Sequence, residues 1–257
     1  MTHIRTYAGR AAALLAGLAL LLAVSAYAEV TQEFHRTVPL AANGRVSLDN
    51  INGDVEITGW DRNEVQIDAV KTARDQQRLD ETTIEVESGS DYVKIHTQYA
   101  HHINNNPASV KYTLHVPQQS RLEEISLVNG SLMLQKVSGD VTAKLVNGKA
   151  SVRDLTGEAF ISSVNGSIEA SFTSLNNVRE IKFKSVNGSI NLGLPAAPNA
   201  DVKASTVNGG IKSDFPLTVQ GSFASHNLSG TLGSGGTHID LSNVNGSIHL
   251  SSGGASM

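Results

Sequence analysis

The sequence predicts an all-β protein: a single-chain parallel β-solenoid, or β-helix, of about seven or eight coils with a β-rich capping segment at its N-terminal end. Three observations predict this class. The dipeptide Asn-Gly occurs eight times. Counted from its glycines, the chain divides into nine-residue units. These units come in pairs. Internal repeats of this kind are typical of folds that stack one small unit on the next.

The nine-residue unit is clearest in four consecutive copies, which start at Gly130, Gly139, Gly148 and Gly157. The second, fourth and seventh residues after each of these glycines are apolar. Alternation of apolar and polar residues directly after the glycine indicates a half-buried strand. The glycine itself indicates a corner where a Cβ atom would obstruct the backbone. Each unit is therefore predicted to be one short strand and one corner. We expect the asparagine that recurs before the glycine to form an internal hydrogen-bonded ladder at the corner, with a ligand-facing row as the alternative.

Two units form one predicted coil, because nearly every second unit opens with Asn-Gly. One short strand cannot bury its apolar side alone, whereas stacked copies can. Asn-Gly is also a strong hairpin signal, so an antiparallel hairpin array is the alternative. Hairpins give no reason for two alternating unit types, which favours the solenoid. Besides a first pair at Gly44 and Gly53, the predicted coils end in the units that begin at Gly130, Gly148, Gly166, Gly188, Gly209, Gly230 and Gly246.

The N-terminus has the layout of a secretory signal peptide over residues 1–28. Arg5 and Arg10 precede an apolar run that is short for a membrane span, and Ala26-Tyr27-Ala28 offers small residues at a cleavage site. We expect cleavage after Ala28, a periplasmic, surface or secreted location, and no membrane span in the mature chain. An uncleaved N-terminal anchor is the alternative.

The remaining chain divides into three predicted segments. Residues 29–120 form an N-terminal β-rich segment that contains the first coil and, from 62 onwards, a cap with a helical turn in the polar stretch 74–81. Residues 121–250 hold the solenoid repeats. Residues 251–257 (SSGGASM) are small and polar, and are expected to be a disordered tail.

Composition and motifs argue against several functional classes. The chain has 20 basic and 24 acidic residues with no basic cluster, so no nucleic-acid partner is expected. It has no cysteine, and no carboxylate recurs after the corner glycines, so neither a thiolate metal site nor a calcium-binding repeat is expected. A carbohydrate-active β-helix enzyme, either a polysaccharide lyase or a hydrolase, is the main alternative, but it needs a carboxylate pair on one face. The acids here are scattered among lysines, so we expect no enzyme, no catalytic residue and no cofactor.

A candidate binding site lies at one predicted corner of three successive coils. The links between coils lengthen there, and the added residues include apolar ones. Insertions in a solenoid align on one face, which is often the binding face. This corner is expected to bind an envelope protein or a glycan through Phe172, Leu194, Pro195, Phe215 and Pro216.

A second candidate surface is the C-terminal coil, in which Ile239, Leu241 and Ile248 have no large residue after them to cover them. An uncovered terminal coil exposes unpaired backbone groups that can template another chain. The sequence therefore predicts end-to-end self-association through this coil.

The chain also resembles a known bacterial family. The segments that carry the resemblance are Asn-Gly-Asp-Val-Glu-Ile-Thr-Gly-Trp-Asp at 52–61, Tyr-Thr-Leu-His-Val-Pro at 112–117 and the serial Val-Asn-Gly units. They resemble exported β-strand-repeat proteins grouped as adhesin-like domains of unknown function. The resemblance implies a non-enzymatic module of the cell envelope with an adhesive, structural or scaffolding role, and it implies no catalytic residues.

Overall fold

The computed structural model describes residues 29–99, 107–222 and 225–253. Their regular secondary structure is almost entirely β-strand, which confirms the predicted all-β class. The signal-peptide prediction falls on residues 1–28, outside the described residues. The strands are β1 (Val30–Pro39), β2 (Arg45–Asn52), β3 (Val55–Trp60), β4 (Glu64–Ala73), β5 (Thr82–Ser88), β6 (Tyr92–Tyr99), β7 (Ser109–Pro117), β8 (Arg121–Asn129), β9 (Leu132–Gln135), β10 (Val141–Asn147), β11 (Ala150–Leu155), β12 (Ala159–Asn165), β13 (Ile168–Phe172), β14 (Glu180–Asn187), β15 (Ile190–Leu194), β16 (Ala200–Asn208), β17 (Ile211–Ser213), β18 (Thr218–Ser222), β19 (Ser225–Leu232), β20 (Thr237–Asn245) and β21 (Ile248–Ser252), with one helix, α1 (Gln76–Asp80).

The strands form two sheets. Sheet A has the order β1-β4-β7-β3-β9-β11-β13-β15-β21-β17, and sheet B has the order β18-β19-β16-β20-β14-β12-β10-β8-β2-β6-β5. Strand pairs such as β10–β11 and β12–β13 turn at an Asn-Gly corner and place one strand in each sheet, where neighbouring pairs run parallel. The hairpin array is therefore excluded over these repeats, and the architecture is a β-solenoid-like stack of two sheets.

The core fills the space between the two sheets with in-register apolar columns. In sheet B, Val141, Ala159 and Ile181 lie opposite one another across β10, β12 and β14, and all three are buried. These are the second residues after the unit start. The fourth residues form a second buried column, next to the first one along the strands. Period-two alternation thus decides which side chains enter the core.

The seventh residue of the unit is buried in some units and exposed in others. It is buried at Val137 and Leu155, in two of the units that open with Asn-Gly. The residue directly before each of them, Lys136 or Asp154, has a positive φ, which interrupts the alternation along the strand. In the other unit type it is exposed, as at Val146 and Val164, because the strand continues and an odd position points outward. The second type forms a row on the surface.

The segment 62–120 extends both sheets beyond the first corner pair, β2–β3. Strands β7, β4 and β1 continue sheet A, and β6 and β5 continue sheet B, with antiparallel pairing among β1, β4 and β7 and between β5 and β6. Helix α1 forms within the predicted helical turn, where Asp75 accepts a hydrogen bond from the amide of Arg78 and Leu79 is buried.

A buried polar group joins this segment to the first corner pair. The Asn50 side-chain amide donates to the carbonyl oxygens of Gly53 and Val110, and its own oxygen accepts from the Tyr99 hydroxyl. The Tyr112 hydroxyl lies 2.7 Å from the Thr97 hydroxyl in the same region. Because these groups are paired, their burial is tolerated, and burial raises the pKa of Tyr99 to about 12.

The C-terminal part departs from the predicted order of coils. The pair β20–β21 lies between β14–β15 and β16–β17, so it is covered on both sides. The prediction that the last coil is open, and with it the surface expected for end-to-end self-association, is wrong. A turn with three positive-φ glycines, Gly233, Gly235 and Gly236, brings the chain back into this gap.

The prediction that a coil ends in the unit that begins at Gly230 is also wrong. Strands β18 and β19 form an antiparallel hairpin, and β19 pairs antiparallel with β16 at the edge of sheet B. This unit lacks an Asn-Gly corner and has Ser225 where an apolar residue is expected. Without these two features it does not continue the parallel stack.

Close approach of successive corners explains the glycines. A Cβ atom on Gly148 would lie 2.0 Å from the carbonyl oxygen of Gly130, and one on Gly166 would lie 1.8 Å from that of Gly148. The same contact continues through Gly188, Gly246 and Gly209. Only a residue without a side chain fits at these corners.

Replacing a corner glycine should therefore be costly. We expect Gly166→Ala to destabilise the protein by about 1–3 kcal/mol or more, because the neighbouring backbone must move. Gly210→Ala is the matched control, since nothing lies within 4 Å of the added Cβ. Thermal unfolding of both variants measures the difference, and equal melting temperatures would contradict the corner packing.

Candidate binding surface

The five residues predicted to form a binding corner do not form one surface. Phe172 and Leu194 are completely buried in the core. Phe215 is partly buried against the core, Pro195 is intermediate and Pro216 is exposed. The apolar strip expected at the lengthened links is therefore absent from these positions.

The lengthened links follow from strand order instead. The link that contains Pro195 joins β15 to β16, which must leave one strand position free for β20. The link that contains Phe215 and Pro216 leads from β17 to the β18–β19 hairpin. Their extra length spans the distance that this strand order requires.

A ladder of corner asparagines runs the length of the repeats. After the first asparagine, the side-chain amide of each one donates to the side-chain oxygen of the asparagine before it in the stack, at 2.8–3.0 Å. In spatial order the ladder consists of Asn52, Asn129, Asn147, Asn165, Asn187, Asn245 and Asn208. The expectation that the recurrent asparagine forms a hydrogen-bonded ladder is confirmed.

Backbone bonds at the corners run the opposite way along the stack. The amide of Gly148 donates to the carbonyl oxygen of Asn165 at 3.0 Å, whereas the Asn165 side chain donates back to Asn147. Each corner is thus tied to both neighbours. A ladder amide has two N–H groups and its oxygen two lone pairs, so one donor and one acceptor site on each asparagine stay open to a ligand.

A row of exposed β-branched side chains lies directly beside the ladder. Its members precede the asparagines in sequence, and each is 38–48% exposed. We call this row together with the asparagine ladder the corner ridge. The row consists of Ile51, Val128, Val146, Val164, Val186, Val244 and Val207. Seven aligned strands give it a length of about 29 Å at the usual interstrand spacing.

Sequence reasoning missed this row, although its signal was present. The seventh residue of a unit has the opposite parity from the second and fourth. If the strand continues to that point, such a residue must face outward. Val-Asn-Gly marks the units in which the strand does continue.

The acids contact cations and backbone amides on the surface. Within the described residues, Glu158 lies 2.7 Å from Arg179, and Asp54 accepts a hydrogen bond from the amide of Ser131 at 2.8 Å. In the described ranges no group of three or more His, Asp or Glu side chains is placed to hold a metal ion. In the same ranges, no helix has the length and apolarity needed to cross a membrane.

One exposed histidine is paired with a carboxylate on sheet A. His35 Nδ1 lies 2.8 Å from Asp68. This bond raises the pKa of His35 and lowers the pKa of Asp68 from their ordinary values. Both groups lie on the outside of the β1–β4 pair, away from the corner ridge. They form a surface pairing between the two strands.

Two surface depressions are large enough to hold part of a ligand. One, of about 350 Å³, lies at the N-terminal end and is lined by residues that include Phe34, Lys71 and Ile84. Lys71 there donates to the carbonyl oxygens of Leu79 and Thr82, so its ammonium group is already used. The other, of about 140 Å³, crosses β10, β12 and β14 on the outside of sheet B, on the same side as the valine row.

Comparison with known proteins agrees with the repeat. Residues 144–251 match the family model described as Toastrack DUF4097. The resemblance to adhesin-like domains of unknown function is confirmed. No curated protein matches the chain.

One solved structure with a TM-score of 0.50 shows the same fold, and others are more distantly similar. A "putative cell adhesion protein" from Clostridium sporogenes is 13% identical, with 87% of this chain and 100% of that chain covered and a TM-score of 0.50. A "putative adhesin" from Bacteroides fragilis is 11% identical over 86% of this chain and 97% of its own, with a TM-score of 0.34. Another from Parabacteroides merdae is 9% identical over 86% and 96%, with a TM-score of 0.31. The likeness to the Clostridium protein extends beyond the segment that matches the family model.

The asparagine ladder should contribute measurably to stability. Asn165→Ala removes two ladder hydrogen bonds, and we expect it to cost about 1–2 kcal/mol. Asn208→Ala at the end of the ladder removes one bond, and about half that loss is expected. Chemical denaturation of the two variants tests this, and equal losses would show that the ladder bonds do not add to stability.

Proposed function

We propose that this protein is an exported, non-enzymatic module of the cell envelope, with seven coils, that adheres to an extended polymer along its corner ridge. The observation that carries the proposal is the unbroken ridge, in which a line of apolar side chains lies beside a line of amides. Isolated exposed apolar residues are common on protein surfaces, whereas a contiguous apolar patch marks a binding surface.

The shape of the ridge favours a linear ligand over a compact one. It is about 29 Å long and repeats at every strand, about 4.8 Å apart. A polymer whose own groups recur can contact several equivalent positions, and many weak contacts then add up to useful affinity. The open donor and acceptor sites of the asparagines would bind its polar groups, and the valines would contact its apolar ones.

A scaffolding role fits the same features. A stack tied at every corner is stiff, and it can hold a partner at a fixed distance from the membrane. The description of the Clostridium sporogenes structure as a cell adhesion protein supports an adhesive role. The carboxylates are scattered among lysines along the chain, and this favours binding over the carbohydrate-active enzyme, which needs two acids on either side of one bond.

The proposal is tested by removing the apolar character of the ridge while keeping its shape. In the variant Val146→Thr, Val164→Thr, Val186→Thr each side chain stays β-branched, so the fold is expected to persist. We expect at least a tenfold loss of affinity for insoluble bacterial envelope material in a co-sedimentation assay, since three adjacent contacts of the ridge are weakened.

The control is Val70→Thr with Met133→Thr, which removes exposed apolar groups from sheet A. It should bind as the wild type does. Wild-type protein that does not co-sediment, or a ridge variant that binds equally well, would contradict the proposal. Release of reducing ends from envelope polysaccharide by the wild type would favour the enzyme instead.

A further inference from the structure

A basic groove crosses the outside of sheet B next to the corner ridge. Six side chains line it in two rows that are in register across β10, β12 and β14. Thr142, Phe160 and Lys182 form one row. Lys144, Ser162 and Lys184 form the other, which lies nearer to the valines. The groove therefore combines three ammonium groups, two hydroxyl groups and one aromatic ring.

The charges in the groove are unbalanced. Lys182 lies 3.8 Å from Asp240 and 4.0 Å from Glu180, so its charge is partly compensated. Among the described residues, Lys144 and Lys184 have no carboxylate within ion-pair distance, and both are exposed. No acid lines the groove, although the chain as a whole has a net charge of −4. A local positive site on an acidic protein selects anions.

We propose that this groove binds a carboxylate-bearing polysaccharide, a polymer of uronic acids, and so determines which envelope polymer the corner ridge holds. This inference rests on the proposed function. Lys144 and Lys184 lie two strands apart, about 9.6 Å, with Ser162 between them. Two acidic sugars on one chain can each present a carboxylate to one lysine, and the sugar between them contacts the serine hydroxyl.

Phe160 supplies the apolar contact that a sugar ring requires. Its side chain is partly exposed and lies between Thr142 and Lys182 on the groove floor. The faces of pyranose rings carry C–H groups that pack on aromatic rings, whereas their edges carry hydroxyls. Two hydroxyl groups lie next to this ring: Thr142 is opposite Phe160 on β10, and Ser162 follows it two residues later on β12. This mixture fits a sugar better than a bare anion.

Two other anionic partners, nucleic acid and an anionic membrane, fit the groove less well. Nucleic-acid binding usually depends on about 6–10 phosphate contacts, and anionic membranes attract clusters of about 4–8 basic residues. Three lysines, one of them already paired, fall below both ranges. The groove is also crossed by an exposed ring and two hydroxyls, which a flat lipid surface would not use.

The test measures binding of an oligogalacturonate of defined length by isothermal titration calorimetry. Wild-type protein is expected to bind it, with affinity that falls as salt is added, and to bind a neutral glucan of the same length at least tenfold more weakly. Lys144→Gln with Lys184→Gln should lower the affinity for oligogalacturonate at least tenfold. Phe160→Ala should lower it at every salt concentration.

The matched control is Lys111→Gln with Lys212→Gln, which removes the same charge from exposed positions on sheet A. It should bind as the wild type does, and an equal loss would overturn the proposed site. Equal binding of the neutral glucan, or binding to anionic lipid vesicles but not to oligogalacturonate, would also overturn it. If the lysine variant still co-sediments with envelope material while the ridge variant does not, this inference fails and the proposed function stands.

Discussion

The close approach of each corner glycine to the glycine carbonyl of the neighbouring strand pair is the constraint on which the rest of the structure depends. At Gly166 there is no room for even one carbon atom. With the corners held this close, the backbone bond from Gly166 to Asn187 and the side-chain bond from Asn187 to Asn165 both form. The corner therefore fixes the register of both strands, and register decides which side chains reach the core.

The surface is a consequence of the same register. Once Asn165 and Asn187 stand side by side, Val164 and Val186 must also stand side by side, one residue earlier and on the outside of the sheet. The groove around Phe160 arises in the same way two and four residues further back along these strands. Stability and binding thus share one cause, and a change at a corner glycine should disturb the core and the candidate surface together.

The sequence allowed the repeat, the parallel pairing and the corner ladder to be predicted, because all three depend on local spacing. Parity along the strand would also have shown that Val146 faces outward. The order of the last strand pairs could not be predicted, because nothing local distinguishes a pair that follows in sequence from one that follows in space. Phe172 and Leu194 were misplaced for a different reason: each is the last residue of its strand, β13 or β15, where the alternation that buries the earlier apolar residues still holds.

The spatial order of the corners is tested most directly by disulfide crosslinking, which the absence of native cysteine makes simple to interpret. In the structure, Val244 stands between Val186 and Val207. Oxidation should therefore link Val186→Cys with Val244→Cys, and Val207→Cys with Val244→Cys. It should not link Val186→Cys with Val207→Cys, because about 9.6 Å separates alternate strands and a disulfide reaches about 7 Å between Cα atoms. Crosslinking of the 186–207 pair without the 186–244 pair would show that the coils stack in sequence order, and would contradict the structure described.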